Sequence, residues 1–100
     1  MIETPIINIY SKVGKFAENK DKARDIRIKE IIPKLNENRE VILDFDNVEA
    51  TTQSFVHALI SDLFRKYGDD ILEKVSFKNC SATVKKIIEI VVDYMQQRDQ

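Results

Sequence analysis

Three hydroxyl side chains stand in one polar turn near the middle of the chain, at Thr51, Thr52 and Ser54. A hydroxyl just before a helix can cap the first backbone N–H groups of that helix, and it can also accept a phosphoryl group. A phosphate is favoured at such a position because these N–H groups lack partners and carry partial positive charge. All three residues are therefore phosphorylation candidates, with helix capping as the alternative role for each.

Nucleophilic catalysis would need more than the sequence provides. His57 follows Ser54 at a spacing that places both on one face of a helix, but no third group is evident to orient the histidine. No glycine-rich oxyanion loop accompanies the pair. Cys80 precedes the last predicted helix, whose dipole could lower the pKa of the thiol, and packing at a strand–helix junction is its alternative role. We therefore place an enzyme that uses Cys80 or Ser54 behind two binding hypotheses.

Metals, cofactors, nucleic acids and membranes are not expected as ligands. One histidine and one cysteine cannot form a zinc site alone, and the two glycines stand apart rather than in a phosphate-binding motif. The net charge of −1 gives no general attraction to nucleic acid or to a membrane surface. A single cysteine, the absence of a secretory signal and the absence of a long apolar run indicate a cytoplasmic protein.

A buried strand and an amphipathic helix position the polar turn. Residues 41–45, VILDF, form a short apolar run of the kind found in strands that are covered on both faces. After the turn, which begins at Asn47, a helix is predicted that ends at Gly68. Its apolar side chains share one half of the circumference, at Phe55, Val56, Leu59, Ile60, Leu63, Phe64 and Tyr67.

The opposite face of this helix carries a row of small residues. Ser54, Ala58 and Ser61 follow one another at helical spacing, and small side chains let another surface approach closely. An ordinary solvent-exposed face is the alternative interpretation. If the face docks a partner, the turn and the helix together supply Asn47, Glu49, Gln53, Ser54, His57, Ala58, Ser61 and Arg65.

The rest of the chain alternates strands with helices. Strands are predicted at 6–10 and 75–77, and a helix at about 20–36 that Pro33 kinks and whose Ile28, Ile31, Ile32 and Leu35 share a face. A last helix follows Ser81, and its apolar arc is wider than a sheet alone covers, so it also contacts a neighbouring helix or, alternatively, a partner. Residues 95–100 are expected to fray.

The order βαβαβα predicts one α/β domain over residues 1–100, with its core at about 5–95 and a small, mostly parallel sheet flanked by helices. Function tends to lie beyond the carboxyl ends of such strands, where segments 11–19, 47–54 and 78–81 meet. A small ligand or a nucleotide could bind there, at a loop that includes Gly14, Lys15 and Asn19. This ligand sensor is the alternative to the docking hypothesis.

The segment VILDFDNVEATTQSF resembles the central part of STAS domains, the fold of bacterial anti-sigma factor antagonists. It is closer still to a bacterial STAS-like family of unknown function, in which a strand resembling V-x-L-D-F-x-x-V-E precedes a Ser/Thr-rich turn that ends in Ser-Phe. Here that pattern is Val41, Leu43, Asp44, Phe45, Val48 and Glu49, followed by Thr51 to Phe55. The segment GKFAENKDKARDIR resembles the same family, and the likeness covers roughly residues 5–95.

The resemblance implies a regulatory domain that is not an enzyme and that docks a protein partner, such as an ATP-binding kinase-like protein. In sigma-factor circuits the kinase phosphorylates a Ser at the start of this helix, and Ser54 takes the place of the second Ser of the pattern Asp-Ser-Ser-Gly. Thr52 stands in place of the Asp, Gln53 of the first Ser, and Phe55 of the Gly. These departures bear on the phosphorylation switch more than on docking, which needs only an exposed helix face.

Overall fold

The computed structural model describes residues 4–97. The elements follow in the order β1 (Ile6–Asn8), α1 (Tyr10–Val13), β2 (Phe16–Ala17), α2 (Lys20–Ile26), α3 (Ile32–Asn36), β3 (Val41–Asp44), β4 (Ala50–Thr51), α4 (Gln53–Tyr67), α5 (Ile71–Lys74), β5 (Val75–Lys78) and α6 (Ala82–Gln97). In the main sheet β3 lies between β1 and β5, and all three strands are parallel. The predicted fold class is therefore confirmed, and the strand order is β1-β3-β5.

The main helices cover one face of this sheet. The chain moves from β1 to β3 to β5 in one direction, so right-handed crossovers place the connecting helices on the same side. In agreement, α2 packs against α4, and α4 packs against α6. Side chains in register alternate between the two faces: Ile7 and Leu43 are buried, whereas Ile6 and Ser76 are exposed. The prediction that β3 is covered on both faces is wrong, since its alternate residues are only half-buried.

Two segments that were predicted as loops form a second, very short parallel sheet. β2 pairs with β4, with Phe16 opposite Ala50. The backbone N–H of Glu49 donates to the carbonyl of Lys15 at 2.8 Å, and that of Thr52 donates to the carbonyl of Ala17 at 3.2 Å. Strands of two residues have no periodicity to read, which is why the sequence did not reveal them. The first strand also ends earlier than predicted, at Asn8, because the helical turn α1 follows.

The helical segment 20–36 contains a π-helical turn, Arg27–Ile31, between α2 and α3. Ala23, Arg27, Ile31 and Leu35 are all buried at a constant spacing of four. In a regular α-helix such a row drifts around the axis, because a turn takes about 3.6 residues, and the wider π turn reduces this drift. The next turn contains Pro33, which has no N–H to donate to an earlier carbonyl.

Because of the π turn, one prediction about the buried face of this helix is wrong. Ile28 was placed on the buried face with Ile31, but its side chain is exposed. The predicted set assumed regular α-helical rotation across the whole segment, whereas the buried row passes through Arg27 instead. A charged residue in that row gives no hydrophobic signal, so the sequence pattern did not identify it.

The last helix runs to Gln97 and begins as predicted. The Ser81 hydroxyl oxygen accepts a hydrogen bond from the backbone N–H of Val84 at 3.1 Å, which caps the helix. Fraying was predicted for residues 95–100, but α6 includes Met95 and Gln97, and residues 98–100 lie outside the described range. Among the helices of residues 4–97, none combines the length and the apolar character that crossing a bilayer requires.

Candidate docking groove

The three candidate hydroxyls of the polar turn have different surroundings. The Thr52 oxygen accepts a hydrogen bond from the backbone N–H of Phe55 at 3.1 Å, so Thr52 is the N-cap of α4. The Thr51 hydroxyl donates to the carbonyl of Ala17 at 2.7 Å and thereby ties β4 to β2. Ser54 is exposed, and no hydrogen bond joins its hydroxyl to any residue in the described range. Of the three hydroxyls, that of Ser54 is the one that makes no hydrogen bond with another described residue.

We expect Thr52→Ala to lower the free energy of unfolding by about 1 kcal/mol, because one N–H at the start of α4 loses its side-chain partner. Thr52→Ser keeps the capping oxygen and is the matched control, with an expected loss well below that of the alanine variant. Urea denaturation followed by circular dichroism measures both. Equal losses in the two variants would show that the methyl group, rather than the cap, accounts for the effect.

The row of small residues on α4 is largely enclosed by neighbouring helices. Ser61 has only 4% of its surface exposed, and Ala58 is half-buried. The prediction that Ser61 lies on an exposed docking face is therefore wrong. Ser61 is buried because α4 lies between α2 and α6, where small side chains permit close packing. An exposed strip of α4 remains near its start, at Gln53 and Ser54.

Arg27, the first residue of the π-helical turn that follows α2, links this turn to α4. Its guanidinium is about nine-tenths buried, donates from Nη1 to the carbonyl of Ala58, and pairs from Nη2 with Asp62 Oδ2 at 3.2 Å. The Nε atom of Arg27 is buried without a hydrogen-bond partner. Asp62 also pairs with Arg65, which was predicted as a docking residue. Arg65 is exposed but belongs to this internal network, so it lies apart from the other docking candidates.

Four of the predicted docking residues line one groove, which we call the α4–α6 groove. It has a volume of about 420 Å³, and its lining comprises Lys20, Gln53, Ser54, His57, Ala58, Ile90, Val91 and Tyr94. Ile90 and Tyr94 of α6 are large apolar side chains with 41% and 55% of their surface exposed. Apolar side chains left open beside polar ones are typical of surfaces that bind another protein.

The sequence did not name Ile90 and Tyr94 as site residues. The signal that could have found them was the width of the apolar arc on the last helix, which exceeds what the sheet covers. That arc indicated either a neighbouring helix or a partner, and the structure shows that α4 covers one part of it. The other part, which includes Ile90 and Tyr94, opens into the groove.

The remaining candidates lie at the carboxyl edge of the sheet, where the three predicted segments do meet. Ser81 donates from its hydroxyl to the carbonyl of Glu49 at 3.3 Å, and Lys15 pairs with the Glu49 carboxylate at 3.8 Å. Asn47, Glu49 and Lys15 line a shallow cavity of about 560 Å³ together with Tyr10, Asp46, Val48, Asn79, Cys80 and Ser81. Two predicted docking residues thus share this cavity with Lys15, a residue predicted for the ligand loop.

Gly14 and Asn19, the other two residues of the predicted ligand loop, do not line this cavity. Gly14 follows α1 with a φ of 78°, a backbone conformation that glycine adopts readily. The Asn19 side-chain oxygen accepts hydrogen bonds from the N–H groups of Asp21 and Lys22 and so caps α2. Gly14 thus ends α1, and Asn19 begins α2.

The side chains that were considered for catalysis or metal binding have the following surroundings. Burial raises the pKa of the Cys80 thiol, Asp44 raises it further, and Lys85 opposes the shift, so the less nucleophilic thiol form is favoured at neutral pH. No hydrogen bond joins Ser54 to His57. Over residues 4–97, no group of three or more His, Cys, Asp or Glu side chains is arranged to hold a metal ion.

The parallel β1-β3-β5 sheet, the packing of α2 against α4 and of α4 against α6, and a helix that begins at a Ser/Thr turn form an α/β domain whose architecture fits the STAS-like class. A family model described as STAS-like domain of unknown function (DUF4325) matches residues 22–85, well over half of the chain. The chain belongs to this family. No curated protein and no solved structure matches the chain.

Proposed function

We propose that this domain is a non-enzymatic regulatory module that docks a partner protein in the α4–α6 groove. The observation that carries the proposal is the position of exposed Ile90 and Tyr94 beside Ser54 and His57 in one groove. Membership of the STAS-like family is consistent with a regulatory role. Asn47 and Glu49, which line the cavity at the carboxyl edge of the sheet instead, are not part of this proposed surface.

Phosphorylation of Ser54 is the proposed switch of this interaction. The Ser54 hydroxyl is exposed, lines the groove and follows the cap residue of α4 closely, so a kinase could reach it without unfolding the helix. A phosphate would add nearly two negative charges inside the groove. The backbone N–H groups at the start of α4 would tolerate this charge, so the fold would persist while the surface seen by a partner changes.

Co-purification from a lysate of the source organism, quantified by mass spectrometry, tests both parts of the proposal. We expect at least one protein to bind the wild-type domain and to be lost from Tyr94→Ala, which removes the largest exposed side chain of the groove. The matched control is Tyr10→Ala, because Tyr10 is also a partly exposed tyrosine but lines the cavity at the carboxyl edge. The same protein should be lost from Ser54→Asp and retained by Ser54→Ala.

The pattern of retained and lost proteins decides the proposal. Identical sets of bound proteins on the wild type and on Tyr94→Ala, with the fold intact by circular dichroism, would refute docking in the groove. Loss from Ser54→Ala as strongly as from Ser54→Asp would leave docking in place but would refute the charge switch. Loss from Tyr10→Ala alone would move the binding surface to the carboxyl edge.

A second candidate function is a small-ligand or nucleotide sensor at that edge. The observation that favours it is the cavity of about 560 Å³ lined by Lys15, Asn47 and Tyr10, which offer a cation, an amide and an aromatic ring. A thermal shift assay with a panel of nucleotides tests this function, because a ligand that binds only the folded state raises Tm with its concentration. A shift that Lys15→Ala abolishes would support the sensor, and no shift across the panel would eliminate it for nucleotides.

A further inference from the structure

Among residues 4–97, the side chains that line the α4–α6 groove include the Lys20 ammonium and several apolar groups but no carboxylate. Beside the apolar residues, the described lining has Lys20, Gln53, Ser54 and His57, and no Asp or Glu. The Lys20 ammonium makes no ion pair with any residue between 4 and 97. An occupant with a negative charge near Lys20 would therefore complement the groove, because no described residue of the lining carries a carboxylate that would repel it.

The two exposed apolar side chains of the groove lie one helical turn apart. Ile90 and Tyr94 are separated by one helical turn on α6, so their side chains stack in one row beside Ala58 of α4. A row of this kind between two helices suits the apolar face of a third helix, which presents anchors at the same spacing. A small exposed polar molecule would leave both apolar side chains in water.

We propose, on the basis of the docking function above, that the occupant of the groove is an amphipathic helix of the partner. Its apolar side chains contact Ile90 and Tyr94, and at least one of its carboxylates faces Lys20. This chemistry also gives the Ser54 switch a direct mechanism. A phosphate on Ser54 lies in the same groove, neutralises Lys20 and repels the partner's carboxylate.

A random-peptide display selection on the full domain, with counter-selection against Tyr94→Ala, tests the inference without a known partner. We expect enriched peptides to carry Asp or Glu beside apolar residues at helical spacing, and to gain helical circular dichroism when bound. The dissociation constant of a synthesised peptide, measured by fluorescence anisotropy, should rise roughly five- to tenfold for Lys20→Glu. Lys22→Glu is the matched control, because it makes the same charge change in the same turn of α2 but does not line the groove.

Four outcomes would overturn the inference: no enriched peptide, enriched peptides without acidic residues, equal weakening by Lys20→Glu and Lys22→Glu, or self-association of the domain that Tyr94→Ala abolishes. The last outcome would make the groove an interface between two copies of the chain. Failure of the inference differs from failure of the docking function. If co-purification depends on Tyr94 while peptide binding is indifferent to Lys20, the docking function stands and the acidic helix does not.

Discussion

Phe55→Ala is expected to lower the free energy of unfolding by about 3–5 kcal/mol, a range typical of large aromatic residues removed from a core. Phe55 is fully buried and lies in the first turn of α4, directly after Ser54. The substitution removes apolar contacts and leaves a cavity under the start of the helix. Because domains of this size are stable by only about 5–15 kcal/mol, a measurable fraction of the variant should be unfolded near body temperature.

The control for this prediction is Phe16→Ala. Phe16 has 58% of its surface exposed at the start of β2, so its removal should change stability by less than about 0.5 kcal/mol. Urea denaturation of both variants gives the comparison. Similar losses would mean that Phe55 is not an anchor of α4.

Asp62→Ala is expected to destabilise the fold by about 2 kcal/mol, because it leaves the buried guanidinium of Arg27 with the Ala58 carbonyl as its remaining partner. This expected loss of unfolding free energy is smaller than the loss for a fully buried ion pair, because Asp62 is nearly half exposed. Arg27→Met should cost less, within about 1 kcal/mol, because it removes the buried charge and keeps much of the side-chain volume.

The double variant Arg27→Met, Asp62→Ala shows how much of the loss in stability is due to the Arg27–Asp62 ion pair. If Asp62 acts by compensating Arg27, the double variant should be more stable than Asp62→Ala alone, as measured by thermal and urea denaturation. If Asp62→Ala lowers the free energy of unfolding equally in the Arg27→Met background, Asp62 does not act through Arg27. The Asp62–Arg65 ion pair would then be the first alternative cause. The comparison requires all four proteins in a double-mutant cycle.

Several parts of the site could be predicted because their signals are local. The apolar side of α4 follows from residues that recur at helical spacing, and Gly68 ends the helix, where its φ is 69°. The last helix is predicted to follow Ser81, which caps it, and Thr52 is among the three cap candidates of α4. Each of these features depends on a few consecutive residues, so the local sequence is sufficient to predict it.

Other parts depend on contacts between residues that are distant in the chain. The hydroxyls of Thr51 and Ser54 look alike in sequence, yet Thr51 is hydrogen-bonded to Ala17 of another strand and Ser54 is exposed. Ser61 belongs to a row that looks polar and exposed, but the helices on either side of α4 bury it. Arg27 is buried because a π turn keeps it in the core-facing row.

By itself, the sequence determined the α/β class, the parallel connection of the strands, the position of the turn before α4 and the family. The tertiary structure decided which of the candidate residues share a surface. The α4–α6 groove combines Ser54 and His57 with Ile90 and Tyr94, which come from the far end of the chain. The physical reason is that periodicity records which side chains avoid water, whereas the neighbour that covers each of them, or leaves it open, depends on how the helices pack.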